Sequence, residues 1–422
     1  MRLTLAALLL TLTAAPALAA PKDEVGKIVD SPGFKAAAAT LAREHERTVA
    51  DIVTLTEIPA PPFKEAARGQ AYLAMFKAHG LTDVRMDAVG NVIGVRKGTK
   101  PGPAVVVSAH LDTVFPEGTP VKVRREGTKL FAPGVADDSR ALAVLLAWIR
   151  ALDAAGIRTR SDLVFVGTVG EEGAGDLWGV RHFFDEGPYK DATKAFFSVD
   201  GIDPAGITHI GVGSKRYRTV FKGPGGHSYG AFGIVNPMAA MARAVTDLYA
   251  VAPPKEPKVT YSASVTGGGT SVNAIPDQVF MEWDMRSADA GELAKLDARF
   301  KTIVQGAVEA ENAARSTSVG PVSVEILPIG DRPAGRTPAD AAVVRYAEAA
   351  AQAFGFTPRL GNGSTDSNAP MAKGIPAVTI GSGGSGGRAH STDEWIDVEP
   401  TASVRGMQVG LAAVLATAGV AP

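Results

Sequence analysis

One local arrangement recurs along this chain: a short apolar run that ends on a histidine or a carboxylate. Ala104-Val-Val-Val-Ser-Ala109 runs into His110-Leu-Asp112. Leu163 to Val169 runs into Gly170-Glu171-Glu172, and Ala195-Phe-Phe-Ser-Val199 into Asp200. Apolar runs without an alternating polar face read as strands buried on both sides, as in parallel sheets. In open α/β sheets, ligands bind beyond the carboxyl ends of such strands. The expected fold is therefore α/β, a mixed, largely parallel sheet flanked by helices, with its polar residues gathered at one edge.

At 422 residues the chain is long enough for two or more compact units. A formal net charge of −1 gives no electrostatic case for nucleic acid or an anionic membrane as partner. There is no cysteine, so disulfides and thiol chemistry are excluded, and a transition metal would have to be held by His, Asp and Glu. Met1-Arg2, the apolar run Leu3 to Ala14 and Ala17-Leu18-Ala19 read as a secretory signal peptide, residues 1–19, cut before Ala20. Prolines at 16 and 21 interrupt the run before it reaches the roughly 20 residues that a membrane anchor needs. The expected location is periplasmic or secreted, with no membrane attachment after cleavage.

Several pairs carry possible chemistry. His110 and Asp112 lie two apart, on one face while the strand persists, so the carboxylate can support a ligating imidazole or simply satisfy a structural one. In Ala132-Pro-Gly-Val-Ala-Asp137-Asp138-Ser139, a helix N-cap accounts for one Asp but not readily for two. Adjacent carboxylates such as Glu171 and Glu172 can point apart, one toward a metal and the other toward a proton, or can both be solvated. His390-Ser-Thr-Asp-Glu394 adds a late histidine. Together His110, Asp137, Glu171, Glu172, Asp200 and His390 suffice for two metals sharing a carboxylate, with one acid left over for proton transfer.

Residues 22–60 read as helical. From 215 to 330 the pattern changes to strand, helix, strand, strand, helix, strand, the ferredoxin-like order, which marks an inserted α+β domain. It interrupts a catalytic domain composed of residues 20–214 and 331–422. Val319 to Leu327 is the last strand expected in the insert, and Gly361 to Asn368 reads as a polar turn. Gly381 to Gly387 lacks the Lys-Ser/Thr ending of a phosphate loop and reads as a mobile loop.

Taken in order, His110-Leu-Asp112, Ala136-Asp137-Asp138, Gly170-Glu-Glu-Gly173, Val199-Asp200, Gly226-His227-Ser228 and His390 span nearly the whole chain after the leader. In this the chain resembles the dizinc exopeptidase and deacylase family that includes tripeptidase T, glutamate carboxypeptidase and acetylornithine deacetylase/succinyl-diaminopimelate desuccinylase. Tripeptidase T is resembled most, through Gly223-Pro-Gly-Gly-His-Ser-Tyr-Gly230 and Thr365-Asp-Ser-Asn368 with Gly374-Ile-Pro376. One departure is Ser139, where the family often has Lys.

The resemblance implies a zinc-exopeptidase-like fold whose insert serves as lid and dimerisation domain. It implies two Zn2+ per chain, with Mn2+ or Co2+ able to substitute. Asp137 would bridge them, His110 and Asp200 would complete one site, and Glu172 and His390 the other. Asp112 would orient His110, and a cis peptide would follow Asp137. Glu171 would be the general base. His227 would stabilise the oxyanion, reaching a partner's site across a homodimer. Asn273 and Arg286 resemble a pair that grips a substrate carboxylate, and Arg286 reads equally as a solvent-facing residue of its sheet. The expected function is a metallopeptidase, an exopeptidase acting on short peptides; the alternatives are an N-acyl amino acid amidohydrolase and a non-catalytic small-molecule binder.

Overall fold

The computed structural model describes residues 20–422, and the expected leader lies outside them. Nine strands form the main sheet. Along it run Thr82–Met86, Val92–Arg96, Leu163–Thr168, Ala104–His110, Thr193–Val199, Ala377–Ile380, Gly206–Gly211 and Gly335–Arg336, with Arg359–Gly363 also pairing Gly206–Gly211. The four central strands from Leu163–Thr168 to Ala377–Ile380 are mutually parallel, and antiparallel pairs flank them.

Successive residues of the central strands feed opposite faces, as the pleat requires. Val105 and Val107 pack under helices Arg140–Ala154 and Pro400–Ala418. Val106, Val164 and Val166 pack against Phe183, Phe184 and Met371 on the other face. Both faces are covered, which is why these runs lack polar alternation.

A second sheet takes the order Val259–Gly268, Gln278–Ser287, Gly213–Lys222, Ser323–Arg332, antiparallel throughout. This is the spatial order of a ferredoxin-like unit. Helices Pro237–Tyr249 and Ala290–Ala314 close a separate core around Phe221, Trp283 and Phe300. Asp289 starts the longer helix by accepting the Glu292 N–H.

A small third sheet places Ser385–Gly387, Trp395–Asp397, Lys129–Phe131 and Arg124–Glu126 side by side. It joins two segments far apart in sequence, the turn that follows Phe131 and the loop that precedes Trp395.

Four details differ from the sequence reading. Residues 22–60 form three helices, broken at Ser31 and at Glu44. Ser31 caps the second by accepting the Phe34 N–H, with Pro32 at the first helical position. The insert's last strand begins at Ser323 and continues to Arg332, where it still pairs with Ser214. Part of the expected polar turn is the strand Arg359–Gly363, held parallel to Gly206–Gly211.

The glycine run is packed against neighbouring backbone. A Cβ on Gly381 would lie 2.2 Å from the Asp203 carbonyl oxygen, and one on Gly383 would lie 2.5 Å from the Gly406 backbone. These glycines let backbones touch, and the end of the run pairs as a strand.

Candidate active site

The carboxyl ends of the parallel strands converge. His110 is the last residue of its strand and lies beside Thr168, the last residue of the next. The Glu171-Glu172 turn and Asp200 follow at the same edge. Arg68, fully buried, braces this edge by donating to the carbonyls of Ile58 and Leu111, at 2.8 Å for Leu111. Burial pushes its pKa down to about 10.

Asp137 sits between the two histidines. His110 Nε2 lies 2.8 Å from its Oδ1 and His390 Nε2 lies 3.1 Å from its Oδ2. His390 Nε2 is also 3.0 Å from Glu172 Oε1. One carboxylate thus faces a different imidazole with each oxygen. The peptide bond between Asp137 and Asp138 is cis.

Ligand atoms of His110, Asp137, Asp138 and Asp200 lie within 4.8 Å of one another, and so do those of Asp137, Glu172 and His390. The two groups share Asp137. A third grouping joins His110 to Glu171 and Glu172.

Asp112 holds both sides of the cluster. Its carboxylate accepts the N–H groups of Glu171 and Glu172 at 3.0 and 2.8 Å, and lies 3.4 Å from His110 Nδ1. The same Nδ1 is 3.1 Å from the Asp112 carbonyl, so this residue fixes the ring through its backbone as well.

The electrostatics are those of a site with too many buried acids. Burial raises Asp138 and Glu171 well above the usual carboxylate range, opposed at Glu171 by the Arg332 guanidinium. Burial, with Asp137 nearby, raises Asp200 to about 7. Burial also works to raise Asp137, but hydrogen bonds from His110 and His390 outweigh it and leave Asp137 below its ordinary value. Hydrogen bonds to Asp137 and Glu172 raise His390 to about 10.

Such a crowd of carboxylates around two imidazoles is the donor set of a divalent pair. Oxygen and nitrogen ligands without thiolate fit zinc, manganese or cobalt.

Four residues to which the sequence reading gave no role support the cluster. Asp138 accepts the His110 N–H at 2.9 Å. Glu394, fully buried, accepts the N–H groups of Gly134, Ala136 and Asp137 at 3.1, 2.7 and 2.9 Å, tying the His390 loop to the Asp137 turn. Asp366 accepts from Thr168 Oγ1 at 2.6 Å. Arg332 reaches Glu171 from the end of the inserted sheet. Asp138, Asp366 and Glu394 stand inside segments that the sequence reading singled out, whereas Arg332 carried no signal.

The remaining expected residues lie on the inserted unit. His227 and Ala274 pair across a short two-stranded antiparallel ladder, and Ser228 N–H donates to the Asn273 carbonyl, so His227 and Asn273 are exposed neighbours. His227 Nδ1 accepts the N–H groups of Tyr229 and Gly230. Among the described residues no hydrogen bond or ion pair joins it to the His110 cluster. Arg286 Nε bonds Asp284 at 2.7 Å on the sheet and makes no hydrogen bond with Asn273. Ser139 is fully buried with no partner for its hydroxyl.

The chain is 26% identical over 350 residues to carboxypeptidase G2 of Pseudomonas sp. (strain RS-16), covering 79% of this chain and 80% of that protein. Its fold is similar to aminopeptidase PepT from Bacillus cereus, with TM-score 0.71, 24% identity and coverage of 89% and 99% of the two chains. It is similar as well to a dinuclear metal-binding peptidase of the M20 family from Bacillus subtilis, with TM-score 0.64, 18% identity and the same coverage. Residues 106–416 match the model of peptidase family M20/M25/M40. That stretch holds every residue of the cluster, and the chain belongs to this family of peptidases and amidohydrolases.

Proposed function

We propose that this protein is a zinc-dependent exopeptidase that hydrolyses amide bonds of short peptides, with Glu171 as its general base. The observation that carries this reading is the division of labour around Asp137. One of its oxygens faces His110, with Asp200 in the same group of ligand atoms, and the other faces His390, with Glu172. Two buried acids are left over: Asp138, whose Oδ2 is taken up by the His110 N–H, and Glu171, grouped with His110 and Glu172.

Asp137 would bridge the ion pair, His110 and Asp200 would complete one position, and Glu172 and His390 the other. Bound divalent ions polarise the scissile carbonyl and acidify a water. The chain's own residues do the rest. Glu171, as the carboxylate, takes the proton of the attacking water and passes it to the leaving nitrogen, a role suited to a group whose proton affinity is raised by burial. Asp112 holds the two glutamates and His110 in one frame, so that the base and the ligands keep a fixed separation.

The exposed surface around His227 supports a shared site. Tyr229 and Phe232 are 90% and 83% exposed, and Val272 is fully exposed beside them. An apolar patch of this kind around His227 fits a second copy of the chain as its cover. His227 then donates to the developing oxyanion of the partner's site, and Arg286 with Asn273 meets the substrate's carboxylate. The leader segment supports export to the periplasm or beyond.

The test is to assay the zinc-loaded protein on di- and tripeptides and on N-acyl amino acids. Release of terminal residues from peptides supports the reading. Turnover confined to N-acyl amino acids replaces it with an amidohydrolase, and no turnover on either class overturns both.

A further inference from the structure

Arg332 is the last residue of the strand Ser323–Arg332, where the inserted sheet hands the chain back to the main one. It is 5% exposed. Its Nη1 lies 3.3 Å from Glu171 Oε1 and 3.3 Å from Ser364 Oγ, and its Nη2 donates to the Glu171 carbonyl oxygen. Its Nε, without a hydrogen-bond partner, lies 4.0 Å from Asp176 Oδ1.

The residues around it form a seam between the same two segments. Asp331 N–H donates to Asp176 Oδ2 at 2.8 Å, Arg181 Nη1 donates to the Asp331 carbonyl at 3.3 Å, and Arg216 Nη1 donates to the Gly173 carbonyl at 3.2 Å. Every one of these contacts joins the inserted sheet to the stretch from Glu171 to Arg181.

We infer that Arg332 is a positioning residue for Glu171, the link through which the inserted sheet sets the orientation of the base. The inference rests on Glu171 being the base, as proposed above. A carboxylate in a turn can rotate about its side-chain torsions. A planar fork that grips both the backbone oxygen and a carboxylate oxygen of one residue removes that freedom. The fork is committed to Glu171 and Ser364, and its remaining Nε faces Asp176. Both terminal nitrogens are engaged and Nε is buried on the side of Asp176, so the guanidinium is not presented to a substrate carboxylate, which separates this role from substrate binding.

The experiment compares Arg332→Ala, Arg332→Gln and Arg332→Lys with Glu171→Gln, each zinc-loaded and checked for melting temperature and metal content. Removal of the guanidinium should lower kcat about a hundredfold, the effect of a catalytic group displaced by about an ångström. KM should stay within about twofold for free and amidated peptides alike. Arg332→Lys, which can keep one of the two contacts, should recover part of kcat. Guanidinium ion added below denaturing concentration should raise kcat of Arg332→Ala.

Unchanged kcat, a KM increase limited to substrates with a free carboxylate, or no recovery with lysine or guanidinium in a folded, metal-replete variant overturns the inference. Arg332→Gln is read in the same way if the alanine variant does not fold. An active Glu171→Gln would overturn the base assignment itself. A dead Glu171→Gln beside a fully active Arg332→Ala would overturn only the positioning role.

Discussion

Three backbone N–H groups, those of Gly134, Ala136 and Asp137, end on the one carboxylate of Glu394. Burial raises that carboxyl to about 7, and the three donors work against the rise. Glu394→Ala should strand all three donors in a buried turn, at about 1–3 kcal/mol for each one that water cannot reach. We expect a clear drop in melting temperature and zinc affinity weaker by about tenfold to a hundredfold, because the turn carries Asp137. Thermal denaturation with and without zinc checks both, and a variant with native values would mean that Glu394 holds nothing in place.

His390 gives a pH dependence whose sign can be worked out. Its hydrogen bonds to Asp137 and Glu172 raise it to about 10, above its unfolded value. In ion-free protein this stabilisation is complete below about pH 6.5 and is lost as pH rises through about 10. A metal must displace that proton, so zinc uptake should release protons and tighten as pH rises from about 5 to 8. Calorimetry in buffers of different ionisation enthalpy reads this directly, and pH-independent uptake would remove His390 from the ligand set.

These residues also mark how far single positions could be read. His110, Glu171, Glu172 and Asp200 announce themselves because an acid or imidazole ends an apolar strand. Glu394 and Arg332 act on partners 257 and 161 positions away in the sequence, and no local pattern encodes that.

The buried central strands were legible at the scale of the element, since both of their faces are covered and only small residues such as Ser108 and Ser198 interrupt the apolar runs. The run from Gly381 to Gly387 was not. Glycine suits a mobile loop and an intimate backbone contact equally well. Gly383 has φ +92 and lies against Gly406 of the C-terminal helix. Gly383→Ala combines a strained backbone with a contact that must open, and about 1–3 kcal/mol of destabilisation is expected. Chemical denaturation measures it. A neutral substitution would show that the run is loose after all. The small third sheet was equally hidden, because its strands have three residues each and its central pairing spans more than 250 positions of sequence.

For the whole molecule, the order of the insert's elements was readable, whereas a contact of the insert with a second chain would be a matter of quaternary arrangement. If His227 serves the partner's site, Glu171→Gln and His227→Ala should each be nearly inactive as homodimers. Mixed under subunit exchange, half of the dimers become hybrids with one intact site in two, so about a quarter of wild-type activity should return. Exchange without recovery would place His227 and Glu171 in the same site of one chain. Underlying all of this is the claim that the cluster holds two ions and that Glu171 moves the proton without holding either. The most direct measurement is metal content and turnover of Glu171→Gln beside Asp137→Ala. The structure leads us to expect about two zinc ions per chain in Glu171→Gln, with turnover down by at least about a thousandfold, and loss of both ions in Asp137→Ala. A Glu171→Gln variant that sheds its zinc, or one that keeps its turnover, would contradict the account.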